Sequence, residues 1–224
     1  MFRIKSRILF FLIVSILSVN TYAQSINNID HELKSIFFNL DVDTCQSELI
    51  KQIDSNKTYK FRYLDGFDTL HFMGGITIDK RNFFAQSYQL ESKNKGWFKC
   101  DTLKIVLQQA HVYQMSTSHT NEESKSFYGH IISINLYFLD SLKAVDSYYK
   151  IVDSISKRLK LPYNQGDYTS DGKIEGKVAD FSIDKKNNRY EYERNLNVWL
   201  NSYQKLYEVK IEFVRLTFKP EECD

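Results

Sequence analysis

The chain has 224 residues, with 30 Lys and Arg against 28 Asp and Glu, and only 2 Pro and 8 Gly beside 15 Tyr and 16 Phe. Arg3, Lys5 and Arg7 supply three positive charges with no acid among the first 23 residues, so the formal +2 becomes −1 once these are set aside. That removes the compositional basis for binding nucleic acid or an anionic membrane, and the scarcity of Pro and Gly excludes a Pro-rich linker in favour of long strands and helices.

Residues 1–23 are predicted to be an export signal. Arg3, Lys5 and Arg7 form the basic start, residues 8–19 are apolar apart from Ser15 and Ser18, and Thr21 and Ala23 occupy the −3 and −1 positions of a cleavage site. The apolar run falls short of the roughly 18 to 20 residues a membrane-crossing helix needs, so cleavage is expected rather than a retained anchor. Gln24 follows the site and the nearest cysteine is Cys45, so the position of a lipid-bearing cysteine is not filled. The expected product spans 24–224, extracytoplasmic (periplasmic or secreted), with no further membrane span, and is long enough to bury its own core.

Ile36, Phe37, Phe38 and Leu40 read as a brief extended segment. Asp43 is then the expected N-cap of a helix, with Gln46 three residues on to complete a capping box, and Cys45, Leu49, Ile50 and Ile53 recur on one face until Asn56. Strands are predicted over 59–64, 69–78, 83–91 and 103–113, a meander, followed by a polar loop over 116–125. The strand over 129–139 alternates Ile132, Ile134, Leu136 and Phe138 with Ser133, Asn135 and Tyr137, the pattern of a half-buried antiparallel strand. From Ser141 the period becomes helical, with Leu142, Val145, Tyr149, Val152, Ile155 and Leu159 as the expected buried stripe, ending before Pro162. Three more strands follow over 173–183, 189–200 and 207–218. In the last, Val209, Ile211 and Phe213 switch parity to Val214, Leu216 and Phe218, for which a β-bulge near Phe213 is expected.

This order predicts an α+β fold in which two helix-plus-antiparallel-meander units form a sheet with helices on one face. The domain is either single over 24–224 or a degenerate tandem repeat of about 36–126 and 127–220, each half ending in an aromatic stretch (Trp97-Phe98, Trp199-Leu200) before or within an alternating strand. The pattern resembles the β-lactamase-inhibitor-protein-like and SmpA/OmlA-like α/β modules of bacterial envelopes. It also resembles exported proteins of Bacteroidota through Phe37-Phe38-Asn39-Leu40-Asp41-Val42-Asp43 and the helix running into Leu161-Pro162-Tyr163. The resemblance implies a protein-binding or envelope-assembly module rather than an enzyme.

Four groups of residues invite chemistry. Cys45, Cys100 and Cys223 allow three single disulfides; Cys100 with Cys223 is preferred because both lie near strand ends, and three unpaired thiols are the other reading. Asp167, Thr169, Asp171 and Glu175 resemble the start of an EF-hand or dockerin calcium loop, with Gly172 at position six and Ile174 at eight. Position twelve, however, is Val178, with the nearest acid, Asp180, two residues late, so the competing reading is a polar connection that turns at Asp171-Gly172. His111 and His130 lie on adjacent predicted strands and can meet, with Glu122 or Glu123, as a metal or acid/base site; the competing reading is two sheet histidines. Tyr190 and Tyr192 share a face with Leu196, Val198 and Leu200, and Tyr137 falls opposite the aliphatic row of its strand; if helices cover only one face, some of these tyrosines line the open one for protein or glycan contact, and the competing reading is that they complete a wide core and its rim. No nucleophile elbow or phosphate loop occurs, so no catalytic, metal or cofactor residue is assigned. The expected role is a non-enzymatic binding or envelope-associated module whose partner is a protein or envelope component. The alternatives are a metal-assisted hydrolase and a calcium-stabilised extracytoplasmic domain.

Overall fold

The structure, a computed structural model, describes residues 28–66, 76–78, 84–93, 95–114, 125–170, 173–185, 192–203 and 206–217. The predicted export signal, most of the predicted strand over 69–78, the polar loop over 116–124, Glu122, Glu123, Tyr190 and Cys223 lie outside these residues. Among those described, helix α1 spans 28–36, α2 spans Gln46–Ser55 and α3 spans Ser141–Leu159. The strands are β1 (Phe61–Gly66), β2 (Ile76–Ile78), β3 (Phe84–Leu90), β4 (Thr102–Gln114), β5 (Lys125–Phe138), β6 (Asn164–Ser170), β7 (Lys173–Lys185), β8 (Tyr192–Tyr203) and β9 (Leu206–Thr217). They form one antiparallel sheet in the order β1-β3-β4-β5-β9-β8-β7-β6, with β2 paired to the far end of β4. The fold is α+β, as expected, with more strands than foreseen. Two consecutive meanders, β1-β3-β4-β5 and β6-β7-β8-β9, meet where their last strands pair antiparallel, Ile134 opposite Ile211.

The helices pack on one face. Even-numbered residues of β5 and odd-numbered residues of β9 point toward them, so Ile132–Phe213, Ile134–Ile211 and Leu136–Val209 are buried cross-strand pairs. Onto these rows α3 sets Ala144, Tyr148, Ile151, Val152, Ile155 and Leu159, all buried, against β5, β9 and β8. This corrects the expected stripe: Leu142, Val145 and Tyr149 are exposed, and the buried arc is rotated by about one residue. Asp140 caps the helix, accepting from the N–H groups of Leu142 (2.8 Å) and Lys143 (3.0 Å). Lys160, in the left-handed region, ends it two residues before Pro162.

Four further expectations are corrected. Ile36 and Phe37 belong to or follow a helix, α1, whose buried Ile29, Leu33, Ile36 and Phe37 have 3–4-residue spacing. That helix closes on Phe38 (φ 58°) and Asn39 (φ 64°), with Asn39 N–H donating to the Lys34 carbonyl at 2.8 Å. A phenylalanine tolerates this backbone region here because its ring packs against Tyr59, Phe61 and Phe98 at centroid distances of 5.0, 5.9 and 5.6 Å. The N-cap of α2 is Cys45, without a side-chain cap, since the Asp43 carboxylate is engaged elsewhere. The stretch read as a polar connection before residue 173 is strand β6. Finally, β9 keeps one unbroken register with β5 and β8, so no bulge falls at Phe213; the extra residues of the register shifts lie in β1 and β7. The helix-side row of β9 continues from Phe213 to Arg215, while Val214 and Leu216 face the other way.

Candidate functional site

Where the apolar rows stop, the helix-side face turns polar. His130, Arg215 and Arg194 are direct neighbours across β5, β9 and β8, one row beyond Ile132, Phe213 and Leu196. Both guanidiniums are nearly buried, and each is met by a carboxylate from the N-terminal helical segment. Arg194 Nη1 donates to Asp30 Oδ1 and Asp43 Oδ2, each at 2.7 Å; Arg215 Nη1 donates to the Asp43 carbonyl (2.8 Å) and Asp43 Oδ1 (3.2 Å). Arg215 Nη2 adds the Thr44 carbonyl at 3.1 Å. The row therefore fastens α1 and the start of α2 to the sheet. Burial, reinforced by the Arg215 charge, lowers the His130 pKa to about 4, so its ring is neutral near pH 7.

The expected His111–His130 pair is not in direct register: His130 lies opposite Gln109, and His111 opposite Tyr128. A cavity of about 10 Å³ adjoins His130, which is the room of a single water and not of a substrate. Among the described residues no cluster of three or more His, Cys, Asp or Glu is arranged to hold a metal.

The calcium-loop reading meets a different geometry. Asp167 and Thr169 lie on β6 and Glu175 on β7; Ser170 pairs with Lys173, leaving Asp171 and Gly172 between the strands, outside the described residues. Two extended strands joined at Ser170–Lys173 lack the continuously turning backbone that wraps a calcium loop around its ion. Asp167 instead accepts from Lys177 Nζ at 2.8 Å, a pairing that raises the Lys177 pKa. Of the cysteines, Cys45 is disulfide-bonded and Cys100 is a free thiol, which overturns the preferred pairing of Cys100 with Cys223. Burial pushes the Cys100 pKa up to about 11, so it is a poor nucleophile near pH 7.

The opposite face of the sheet carries no helix among the described residues, because the buried faces of all three helices belong to the core on the other side. Its centre is a set of cross-strand rows. Tyr137, Glu208 and Asn201 form one; Lys104, Asn135, Lys210 and Trp199 form the next; Val106, Ser133, Glu212 and Asn197 follow, then Gln108, Ile131, Val214 and Asn195. Glu208 is buried and accepts from Asn135 Nδ2 at 2.8 Å and Asn201 Nδ2 at 3.0 Å, while Ser133 Oγ donates to Asn135 Oδ1 at 2.8 Å. The ammonium groups of Lys104 and Lys210 stand over the Tyr137 and Trp199 rings, each 5.4 Å from the centroid. The side chains are thus held by one another across four strands, β4, β5, β9 and β8.

Tyr137 is where the alternation of β5 puts it. Trp199 and the amides of β8 were equally readable, since Asn195, Asn197, Trp199 and Asn201 alternate with Leu196, Val198 and Leu200. Among the described residues no helix is long and apolar enough to cross a membrane. Comparison with protein-family models, with curated proteins and with solved structures finds no match to this chain.

Proposed function

We propose that the chain is an exported, non-enzymatic binding module that engages a protein of the cell envelope through the sheet face opposite the helices. The observation that carries this reading is the chemistry of that face: aromatic Tyr137 and Trp199 and the amides of Asn135 and Asn201 at one end, half-buried Val106, Ile131 and Val214 at the other. An apolar patch bordered by amides and aromatic rings on a rigid sheet is what a protein interface uses, and side chains already held in place lose little freedom on binding. The resemblance of the element order to tandem envelope modules supports the same class. A disulfide at Cys45 suits an oxidising compartment, and the basic and apolar pattern of residues 1–23 suits delivery there. An acid/base role for His130 is disfavoured by its burial and lowered pKa.

The test is a cross-linking pull-down from an envelope fraction with the tagged full-length chain, beside Tyr137→Ala, Trp199→Ala and, on the helix side, Lys157→Ala. A partner retained by the native chain and Lys157→Ala but lost from both aromatic variants, at unchanged thermal midpoint, supports the reading. Capture that ignores Tyr137 and Trp199, or a chain recovered only from the cytoplasm with residues 1–23 intact, overturns it.

A further inference from the structure

We propose that the groove between α3 and the segment 97–101 binds a small amphipathic anion: a carboxylate, sulfonate or phosphate carried on an apolar body. The groove encloses about 620 Å³, within the roughly 300–1,000 Å³ of small-molecule sites. It lies on the helix side of the sheet, so it does not depend on the open-face reading.

One wall is fixed before any ligand arrives. Gly96 turns the chain at φ 64°, a backbone region that suits a residue without a Cβ, and Lys95 Nζ reaches back to the carbonyls of Cys100 (2.8 Å) and Asp101 (2.9 Å). Asp101 ties this wall to the end of β5: its N–H donates to the Tyr137 carbonyl at 3.1 Å, and its Oδ2 accepts from Leu139 N–H at 3.1 Å. Trp97 packs on Phe98 with centroids 4.3 Å apart, and the Arg158 guanidinium covers the Trp97 ring at 5.2 Å. Phe98, Phe138 and Ile151 supply an apolar floor.

The charges select the sign of the ligand. Of the acids lining the groove, Asp146 is neutralised by Lys150 Nζ at 2.7 Å and Asp101 is turned to the Leu139 N–H, so Lys99 and Lys143 outweigh Asp101 and the lining keeps one net positive charge. These two lining lysines, Lys99 on one wall and Lys143 on the other, have ammonium groups with no hydrogen bond or ion pair among the described residues. Lys143 also lies in the first turn of α3, where the helix dipole adds positive potential. An anionic head between Lys99 and Lys143 with its apolar body over Phe98, Phe138 and Ile151 satisfies both halves of the groove. Cys100 lines it too; with its pKa pushed up to about 11 the thiol is part of the wall and reacts slowly, so its rate of alkylation in alkaline buffer serves as a built-in reporter of occupancy.

The test uses the purified full-length export product with three probes: 1-anilinonaphthalene-8-sulfonate, its uncharged relative N-phenyl-1-naphthylamine, and dodecanoate. Affinities come from fluorescence and calorimetric titration, and occupancy from the rate of Cys100 alkylation by iodoacetamide, read by mass spectrometry of the Cys100 peptide. The expected result is at least tenfold tighter binding of the sulfonate than of the uncharged dye. Lys99→Ala with Lys143→Ala should weaken it at least tenfold at unchanged thermal midpoint, while Lys157→Ala leaves it intact. Saturating dodecanoate should slow Cys100 alkylation several-fold. Equal affinity for the uncharged dye, indifference to Lys99 and Lys143, binding that leaves Cys100 alkylation unchanged, or no binding at millimolar probe would each overturn the proposal.

Discussion

Asp43, in the segment before α2, holds two buried arginines at once: its Oδ2 accepts from Arg194 of β8 at 2.7 Å and its Oδ1 from Arg215 of β9 at 3.2 Å. The arginine side chains are 3% and 5% exposed, against 27% for Asp43. Removing the acid leaves two nearly buried cations short of a partner at the edge of the core, which is the costly way to break such a pair. The carboxylate is as much a part of the fold as the apolar rows it borders.

Asp43→Ala should therefore destabilise the protein by about 2–3 kcal/mol, below the roughly 3–5 kcal/mol of a fully buried pair because Asp43 keeps partial contact with water. Asp30→Ala, whose side chain is 44% exposed, should cost clearly less. Urea unfolding of the two variants checks the order. Equal and small losses would mean that the arginines find water readily.

His130 makes stability depend on pH. Its folded pKa of about 4 lies below the unfolded value near 6.5, so the unfolded chain binds the extra proton in between, and stability falls as pH drops through that window. The loss amounts to about 3 kcal/mol between about pH 6.5 and 4. Urea midpoints at several pH values should show it in the native chain, and the dependence should be shallower in His130→Gln.

Reductant should lower stability by about 2–4 kcal/mol through the disulfide at Cys45, and Cys100→Ser should leave that sensitivity in place. Cys45→Ser should abolish it. Thermal melts with and without dithiothreitol distinguish the variants.

Glu208→Ala removes the acceptor for the Asn135 and Asn201 amides and should cost about 1–3 kcal/mol. Glu208→Gln should cost less, because a flip of the Asn201 amide restores complementary donors and acceptors. Denaturant unfolding measures both; a neutral alanine variant would mean that water replaces Glu208 at no cost.

On α3, Leu142→Lys should change stability by no more than about 0.5 kcal/mol, whereas Ile155→Ala should cost about 2–5 kcal/mol. Both positions belonged to the stripe expected from spacing, yet Leu142 is 79% exposed and Ile155 is fully buried. Comparable losses at the two sites would contradict the packing of α3.

That misplaced stripe shows how far sequence reaches. Apolar residues at 3–4-residue spacing specify that α3 is a helix, but its nine apolar side chains cover more than one arc, and the choice falls to whichever arc fits the apolar rows of β5, β9 and β8 beneath it. The parity switch in β9 has the same origin. Arg215 occupies a helix-side position because Asp43 waits above it, a contact between residues 172 apart that no local pattern carries. Strand β6 went unread because its polar, glycine-containing start, residues 164–167, is exposed throughout and leaves no period. Tyr137 and Trp199 were legible because alternation alone fixes which side of a strand a residue takes; that the side is uncovered was not.

Sequence by itself determined the α+β class, the alternation of β5 and the limits of α3, since a period of two or of 3.6 is a local property of the backbone. The tertiary structure decided which arc of α3 is buried, what Asp43 holds, and which cysteine is bonded. It also brought Lys99 and Lys143 to opposite walls of one groove. Those features depend on pairings between distant segments, and the free energy that selects them exists only once the sheet has closed over its core.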